Sequence, residues 1–134
     1  MKKILCIGSV TCDIIVTGAD AIPAPGTLRA VRDVSVHTGG CAANAAADLG
    51  RLGVPAALCC KVGEDMLGEY VYAQMEKAGV DTRYIVKSKE AGTTTSVVCV
   101  ADSGERSFLY GEGSTSQFTA EDISPQAVQE CDIV

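Results

Sequence analysis

Short apolar runs that end in glycine alternate with segments of helical period over residues 3–86, and this alternation commits the chain to a parallel sheet with helical crossovers. Residues 3–7 form the first run, a buried strand ended by Gly8-Ser9. Gly39-Gly40 then open an alanine-rich helix running to about Leu52. Its expected buried stripe is Ala42, Ala46, Leu49 and either Leu52 or Gly53, and Gly53 is its stop. Residues 56–62 are a second buried strand. Asp65 stands where the N-cap of a second helix is needed, and Leu67, Val71, Met75 and Ala78 give that helix its apolar face. Residues 84–86 are a third core strand.

Four further β-rich stretches, around 12–18, 28–37, 93–100 and 105–111, fall outside this alternation. At 28, 30, 34 and 36 apolar residues recur at the period of a half-exposed strand, with Arg32 interrupting the series. Residues 101–105 read as a hairpin loop in which Gly104 can take positive φ. Together these stretches predict a small antiparallel sheet standing apart from the α/β core. Between the first two, Pro23, Pro25 and Gly26 break any regular element. Thr119-Ala120-Glu121-Asp122 resembles a helix-start capping box. Ile133-Val134 resemble the opening of another strand, so the chain is expected to be a truncated piece of a longer one.

Charge and cysteine usage narrow the function classes. Seventeen Asp and Glu against eleven Lys and Arg leave a net charge of −6, the wrong sign for a nucleic-acid surface. No apolar run approaches the ~20 residues of a membrane span. The start Met1-Lys2-Lys3 followed by apolar residues is cut short by Gly8 and Asp13, and no cleavage site follows, so it reads as a strand and not a leader. Seven cysteines with no C-x-x-C pair and a single histidine, His37, encode no zinc or thioredoxin-type centre. Most of the cysteines are expected to be small buried hydrophobes in a reducing compartment, the cytoplasm.

Two short segments carry the candidate chemistry. In Gly39-Gly40-Cys41-Ala42-Ala43-Asn44, paired glycines let a backbone approach a ligand closely and a helix start offers N–H donors. Asn44, one turn in, can both donate to and accept from hydroxyls. In Gly8-Ser9-Val10-Thr11-Cys12-Asp13, the loop after strand one lies where open α/β sheets bind ligands, and the Asp13 carboxylate can accept from vicinal hydroxyls. The bland alternatives are a loop-capping Asp and a solvated Asn. Neither G-x-G-x-x-G nor G-x-x-x-x-G-K-[ST] is present.

Taken in order, these segments resemble the ribokinase-like (PfkB-type) kinases. The resemblance rests on G-S-x-x-x-D at 8–13, P-x-P-G at 23–26, G-G-x-x-x-N-x-A at 39–46 and L-G-x-L-G at 49–53. It extends through Val62-Gly63-Glu64-Asp65-x-x-Gly68, Ala78-Gly79-Val80-Asp81-Thr82 and the threonine-rich strand before Asp102-Ser103-Gly104-Glu105-Arg106. It implies a Rossmann-like, ribokinase-like α/β fold with a β lid, and Mg²⁺- and ATP-dependent phosphorylation of a hydroxyl on a sugar or nucleoside. By the same resemblance Asp13, Gly39, Gly40 and Asn44 bind substrate hydroxyls, with Thr11, Cys41 and Arg106 as further candidates. The separate sheet would act as a lid closing over the substrate, and an apolar face on it is expected to mark either that closure or a homodimer contact. Ribose-selective members carry Asn at the position of Thr11 and Lys at that of Cys41, which puts ribose itself in doubt. The family's C-terminal G-A-G-D signature, with its general-base Asp and ATP site, is absent, so this piece is expected to be inactive alone. The competing readings are a stand-alone sugar- or nucleoside-binding module and a structural dimerisation domain.

Overall fold

A computed structural model describes residues 1–134 and contains two sheets. In the first, β4 (Ala56–Gly63) is central and every pairing is parallel. It is flanked on one side by β1 (Ile4–Ile7). β5 (Val80–Asp81) pairs with the first two residues of β4, and β6 (Ile85–Ser88) pairs directly with its last four. Helices α1 (Cys41–Arg51) and α2 (Met66–Lys77) make the crossovers. This is the parallel α/β core that the alternation of strands and helices predicts.

β4 is apolar almost throughout because both of its faces are covered. Leu58, Cys60 and Val62 join Ala42, Ala43, Ala46, Ala47, Val71 and Met75 in one cluster with the two helices. Ala57 and Cys59, on the opposite face, meet Leu5, Tyr84 and Ala127. Ala127 belongs to the short α3 (Pro125–Glu130), reached through 3-10 turns at Gly113–Gln117 and Ala120–Asp122. The capping box at Thr119–Asp122 is formed, but on the second of these turns and not on an α-helix. Lys61, the one charged residue of β4, pairs with Asp122 at 2.8 Å. Ile133 bridges Ile4 in parallel, along the free edge of β1.

The buried stripe of α1 differs from the expected one. Ala42, Ala43, Ala46 and Ala47 are buried, whereas Leu52 is 79% exposed. Small residues let the helix lie close on the sheet, which turns the alanines inward, and Leu52 falls at the C-cap beyond the packed turns.

The second sheet has the order β3-β2-β7-β8. Its strands are β2 (Thr11–Thr17), β3 (Asp33–Gly39), β7 (Thr95–Val100) and β8 (Arg106–Gly111). It stands apart from the core, as expected, but it is not wholly antiparallel. The two outer pairings are antiparallel, and the central pair β2–β7 runs parallel from Cys12↔Thr95 to Thr17↔Val100. Each hairpin leaves the core and returns to it, so the two outgoing strands lie side by side in the same sense. Residues 28–32 are exposed and outside any strand, and β3 begins only at Asp33. The early half of the 28–36 alternation was therefore a coincidence of composition in a loop.

Hydroxyl-bearing residues stitch the sheet to the core where the chain crosses. Asp65 N-caps α2 by accepting from the Gly68 N–H at 2.8 Å, and it also accepts from the Thr93 N–H and hydroxyl at 2.7 Å each. The Thr115 hydroxyl donates to the Val10 carbonyl, that of Thr94 to Glu112, and that of Tyr70 to Val36 in β3. Burial acts to raise the Asp65 pKa, but the hydrogen bonds from Thr93 and Gly68 outweigh it and hold the carboxyl below its usual range. The stability this contributes is present above about pH 4, the unfolded value, and is lost as pH falls through the lowered folded value. Asp65→Asn should therefore show a shallower acid loss of stability than the unaltered protein in denaturation midpoints followed from pH 6 to pH 2. Identical acid limbs would show that this carboxylate is not a linkage site.

Candidate functional site

The candidate site lies where β1 ends, α1 begins and the second sheet meets the core. After β1 the chain turns at Gly8-Ser9 and enters β2 through the fully buried Val10. Ser9 then holds the start of α1: its hydroxyl accepts from the Cys41 N–H at 3.2 Å and its carbonyl from the Ala43 N–H at 3.4 Å. The amides that the sequence suggests for a ligand are therefore largely used by Ser9. Ser9, two residues before the first residue of β2, thus supplies the side-chain acceptor that holds the start of α1.

Register brings Asp13 and the glycine pair together. Thr11 pairs with Gly39, and Asp13 pairs with His37. A Cβ placed on Gly39 would lie 2.1 Å from Asp13 Oδ2 and 2.6 Å from Thr11 Oγ1, so both side chains lean across this glycine. At Gly40, φ is +94°, and a Cβ would sit 2.6 Å from the Ser9 carbonyl oxygen. These two glycines let β3, the Ser9 loop and α1 converge. Asp13 is half-buried and takes part in none of the chain's ion pairs. Asn44 is exposed one turn into α1, its own N–H donating to the Gly40 carbonyl at 2.9 Å. Cys41 is exposed at the first position of the helix. Thr11, Asp13, Gly39, Gly40, Cys41 and Asn44 are thus contributed by neighbouring segments around one junction.

The sheet adds Ser96, which the sequence did not single out. Directly paired residues share a face, so His37, Asp13, Ser96 and Tyr110 form one row across all four strands. Ser96 is buried and Tyr110 exposed, while His37 Nε2 lies 2.9 Å from the Ser35 hydroxyl. Only the strand pairing could reveal this row, because its members are far apart in sequence.

Arg106 is placed elsewhere. It pairs with Val100, which pairs with Thr17, four residues along β2 from Asp13. At ~3.3 Å per residue it stands about 13 Å from the Asp13 row. There it lines an open cleft of about 540 Å³ with Asp20, Cys99, Glu105 and Phe108. A second cleft, of about 390 Å³, lies by Glu64, Asp65 and Glu90, where Asp65 is already saturated by internal hydrogen bonds. Neither cleft coincides with Asp13. The Asp13 region is a wall rather than an enclosed pocket, and its chemistry identifies it better than its concavity does.

All seven cysteines are free, and Cys12, Cys59, Cys60 and Cys99 are buried. Burial pushes the Cys60 thiol up to about 12, which keeps it an inert packing group. No group of three or more His, Cys, Asp or Glu side chains is gathered where a metal ion could be held. No helix is long and apolar enough to cross a membrane.

Comparison with known proteins agrees with this architecture. The pfkB family carbohydrate kinases match over residues 1–134. A sugar kinase of Pyrococcus horikoshii is 38% identical over 109 residues, which is 81% of this chain and 35% of that protein. An ATP-dependent ribose-1-phosphate kinase of Halopiger xanaduensis is 33% identical along 100% of this chain and 45% of its own length. Among solved structures, the uncharacterized Pyrococcus horikoshii sugar kinase in complex with ATP superposes with a TM-score of 0.77 at 35% identity, over 95% of this chain and 40% of that one. A Xylella fastidiosa fructokinase with bound ATP gives 0.77 at 28% identity, over 96% and 39%. The chain spans less than half the length of these relatives. The family match over the whole chain, on a parallel α/β core with a separate β-sheet, shows that the chain belongs to the pfkB family of carbohydrate kinases.

Proposed function

We propose that the intact protein transfers the γ-phosphoryl group of ATP to a hydroxyl of a sugar or nucleoside, and that this chain supplies the substrate-binding wall and its lid. The observation that carries the reading is the Asp13 carboxylate, without an ion-pair partner and lying across Gly39 at the junction of sheet and core. A carboxylate so placed accepts hydrogen bonds from hydroxyls, with Asn44 and Thr11 beside it to donate and accept in turn. In the transfer, the substrate oxygen bonds to the γ-phosphorus, the bond to the β,γ-bridging oxygen breaks, and ADP leaves. The hydroxyl proton passes to a base supplied by the rest of the protein, since this chain has no G-A-G-D segment. Mg²⁺, carried on the ATP phosphates, would neutralise developing charge there. Seven free thiols suit a reducing cytoplasm.

An ADP-release screen of the intact protein across sugars, polyols and nucleosides should show turnover with at least one of them, and residues 1–134 alone should show none. Silence of the intact protein on every hydroxylated compound would count decisively against the kinase assignment.

One feature favours a homodimer through the lid as a further part of this reading. On the face opposite Asp13, the paired residues Ile14, Val36, Val97 and Leu109 form an apolar row, with Val36 40% and Leu109 52% exposed, and Val34 nearby is 55% exposed. Contiguous exposed apolar surface of this kind marks a covered face. Sedimentation of the intact protein should give a dimer that Val36→Asp with Leu109→Asp converts to monomer. A monomeric parent would leave only lid closure as the role of this face.

A further inference from the structure

Where the second sheet hands the chain back to the core, the 3-10 turn after β8 binds three separate segments together. We infer that Thr94, Ser114 and Thr115 are positioning residues for Asp13. They grip the entry of β2 against the core and so set where the carboxylate stands relative to α1, an inference that rests on the substrate-binding reading of Asp13 given above. At Gly113, φ is +49°, and a Cβ would lie 2.6 Å from both the Gly92 carbonyl oxygen and the Thr94 nitrogen, so the two crossing segments run in backbone contact. Ser114, fully buried, donates its N–H to the Gly92 carbonyl and its hydroxyl to the Lys61 carbonyl of β4, both at 2.8 Å.

Thr115 completes the clasp. Its N–H donates to the hydroxyl oxygen of the fully buried Thr94 at 2.8 Å, and its own hydroxyl donates to the Val10 carbonyl at 2.9 Å. The Thr94 carbonyl accepts from the Cys12 N–H at 2.8 Å. Both peptide groups of Thr11 are thus held, one from Thr115 and one from Thr94, and Asp13 follows two residues on. On the other side of Val10, Ser9 holds the Cys41 and Ala43 amides of α1. The anchor of the helix that carries Asn44 and the anchor of the strand that carries Asp13 are therefore adjacent residues. The ladders of β2 with β3 and β7 fix Asp13 within the second sheet, and the clasp fixes it to the core through Ser114 and β4. A ligand that bridges Asp13 and Asn44 depends on that spacing, because hydrogen bonds weaken steeply as distance and angle depart from their optimum.

The test is a double-mutant cycle in the intact protein. Thr115→Val keeps the side-chain volume and takes the hydroxyl away from the Val10 carbonyl. It should raise KM for the hydroxyl-bearing substrate about tenfold while KM for ATP changes less than about twofold. Thr115→Ser should bring the substrate KM back to within about twofold of the parent. In an Asp13→Ala background, Thr115→Val should add less than about twofold, because the group it positions is gone. Ser114→Ala, which frees the Lys61 carbonyl, should repeat this pattern and serves where Thr115→Val does not fold. Equal losses in the two backgrounds, or both KM values rising together, would overturn the inference and leave these residues as scaffold alone. Amide hydrogen exchange needs no substrate: the Cys12 amide should exchange at least about tenfold faster in Thr115→Val or Ser114→Ala than in the parent. Unchanged exchange at Cys12 also overturns the inference. Faster exchange in a protein that turns over no hydroxylated compound would sink the kinase reading and leave the clasp on β2 standing, so the two fail separately.

Discussion

Asp13→Ala in the intact protein is expected to weaken binding of its hydroxyl-bearing substrate about a hundredfold, and Asn44→Ala about fivefold. A hydrogen bond to a charged group is worth ~1.5–3 kcal/mol and one between neutral groups ~1 kcal/mol. A carboxylate that accepts from two vicinal hydroxyls therefore contributes about 3 kcal/mol, and each ~1.4 kcal/mol is a factor of ten in affinity. Asp13 leans across Gly39 at the mouth of the junction, whereas Asn44 is exposed on the first turn of α1 and can be replaced in part by water. The control is Asp102→Ala. Asp102 is an exposed hairpin residue paired with Arg32 across side chains that are both more than half exposed. Such surface pairs contribute little, so substrate affinity should change less than about twofold. Isothermal titration of the three variants, with circular dichroism to confirm folding, gives the ordering directly. Asp13→Ala binding like the parent would reduce Asp13 to a polar residue of the β2 face with no role in binding.

How much of this was legible beforehand depends on how far apart the interacting residues are. Residues 3–7 and 56–62, the Asp65 cap and the Val71-Met75 face were readable, because each rests on local periodicity or on a residue's own backbone preference. The proximity of Asp13, Gly39 and Asn44 came from recognising an ordered set of short motifs, and the register of β2 with β3 places them at one junction. What could not be read was the relation between distant strands. The parallel pairing of β2 with β7 follows from where both strands leave the core, which no local pattern encodes. For the same reason Arg106 looked like a site residue from its motif, yet it lies at the end of β8 remote from Asp13. Ser96 was missed because its partner in the row is Asp13, more than eighty residues away in sequence. The loop at 28–32 misled for the opposite cause: an alternating pattern is necessary for a half-exposed strand and not sufficient, and these residues have no partner strand.

The backbone at the glycine pair leads to the second large effect, a loss of stability of at least about 3 kcal/mol on Gly40→Ala. Two separate penalties act there. At φ +94° and ψ 141° the residue occupies a region that side-chain-bearing residues rarely enter, a strain of order 1–3 kcal/mol. In addition, a methyl group would lie 2.6 Å from the Ser9 carbonyl oxygen and 2.7 Å from Val10 Cα, both of them backbone atoms that cannot rotate away. Relief would require moving the loop after β1 off the start of α1, breaking the Ser9 bonds to Cys41 and Ala43 and displacing the fully buried Val10. Gly26→Ala separates the two penalties, since Gly26 has φ +79° but nothing within 4 Å of an added Cβ. It should cost only the conformational term, about 1 kcal/mol. Chemical denaturation of the intact protein carrying each change should therefore lower the midpoint far more for Gly40→Ala than for Gly26→Ala. Substrate affinity should fall with the first and stay unchanged with the second, because only Gly40 positions the helix that carries Asn44. Equal losses from the two variants would mean that the Ser9 loop yields without cost, and that the close approach at Gly40 does not hold the site together.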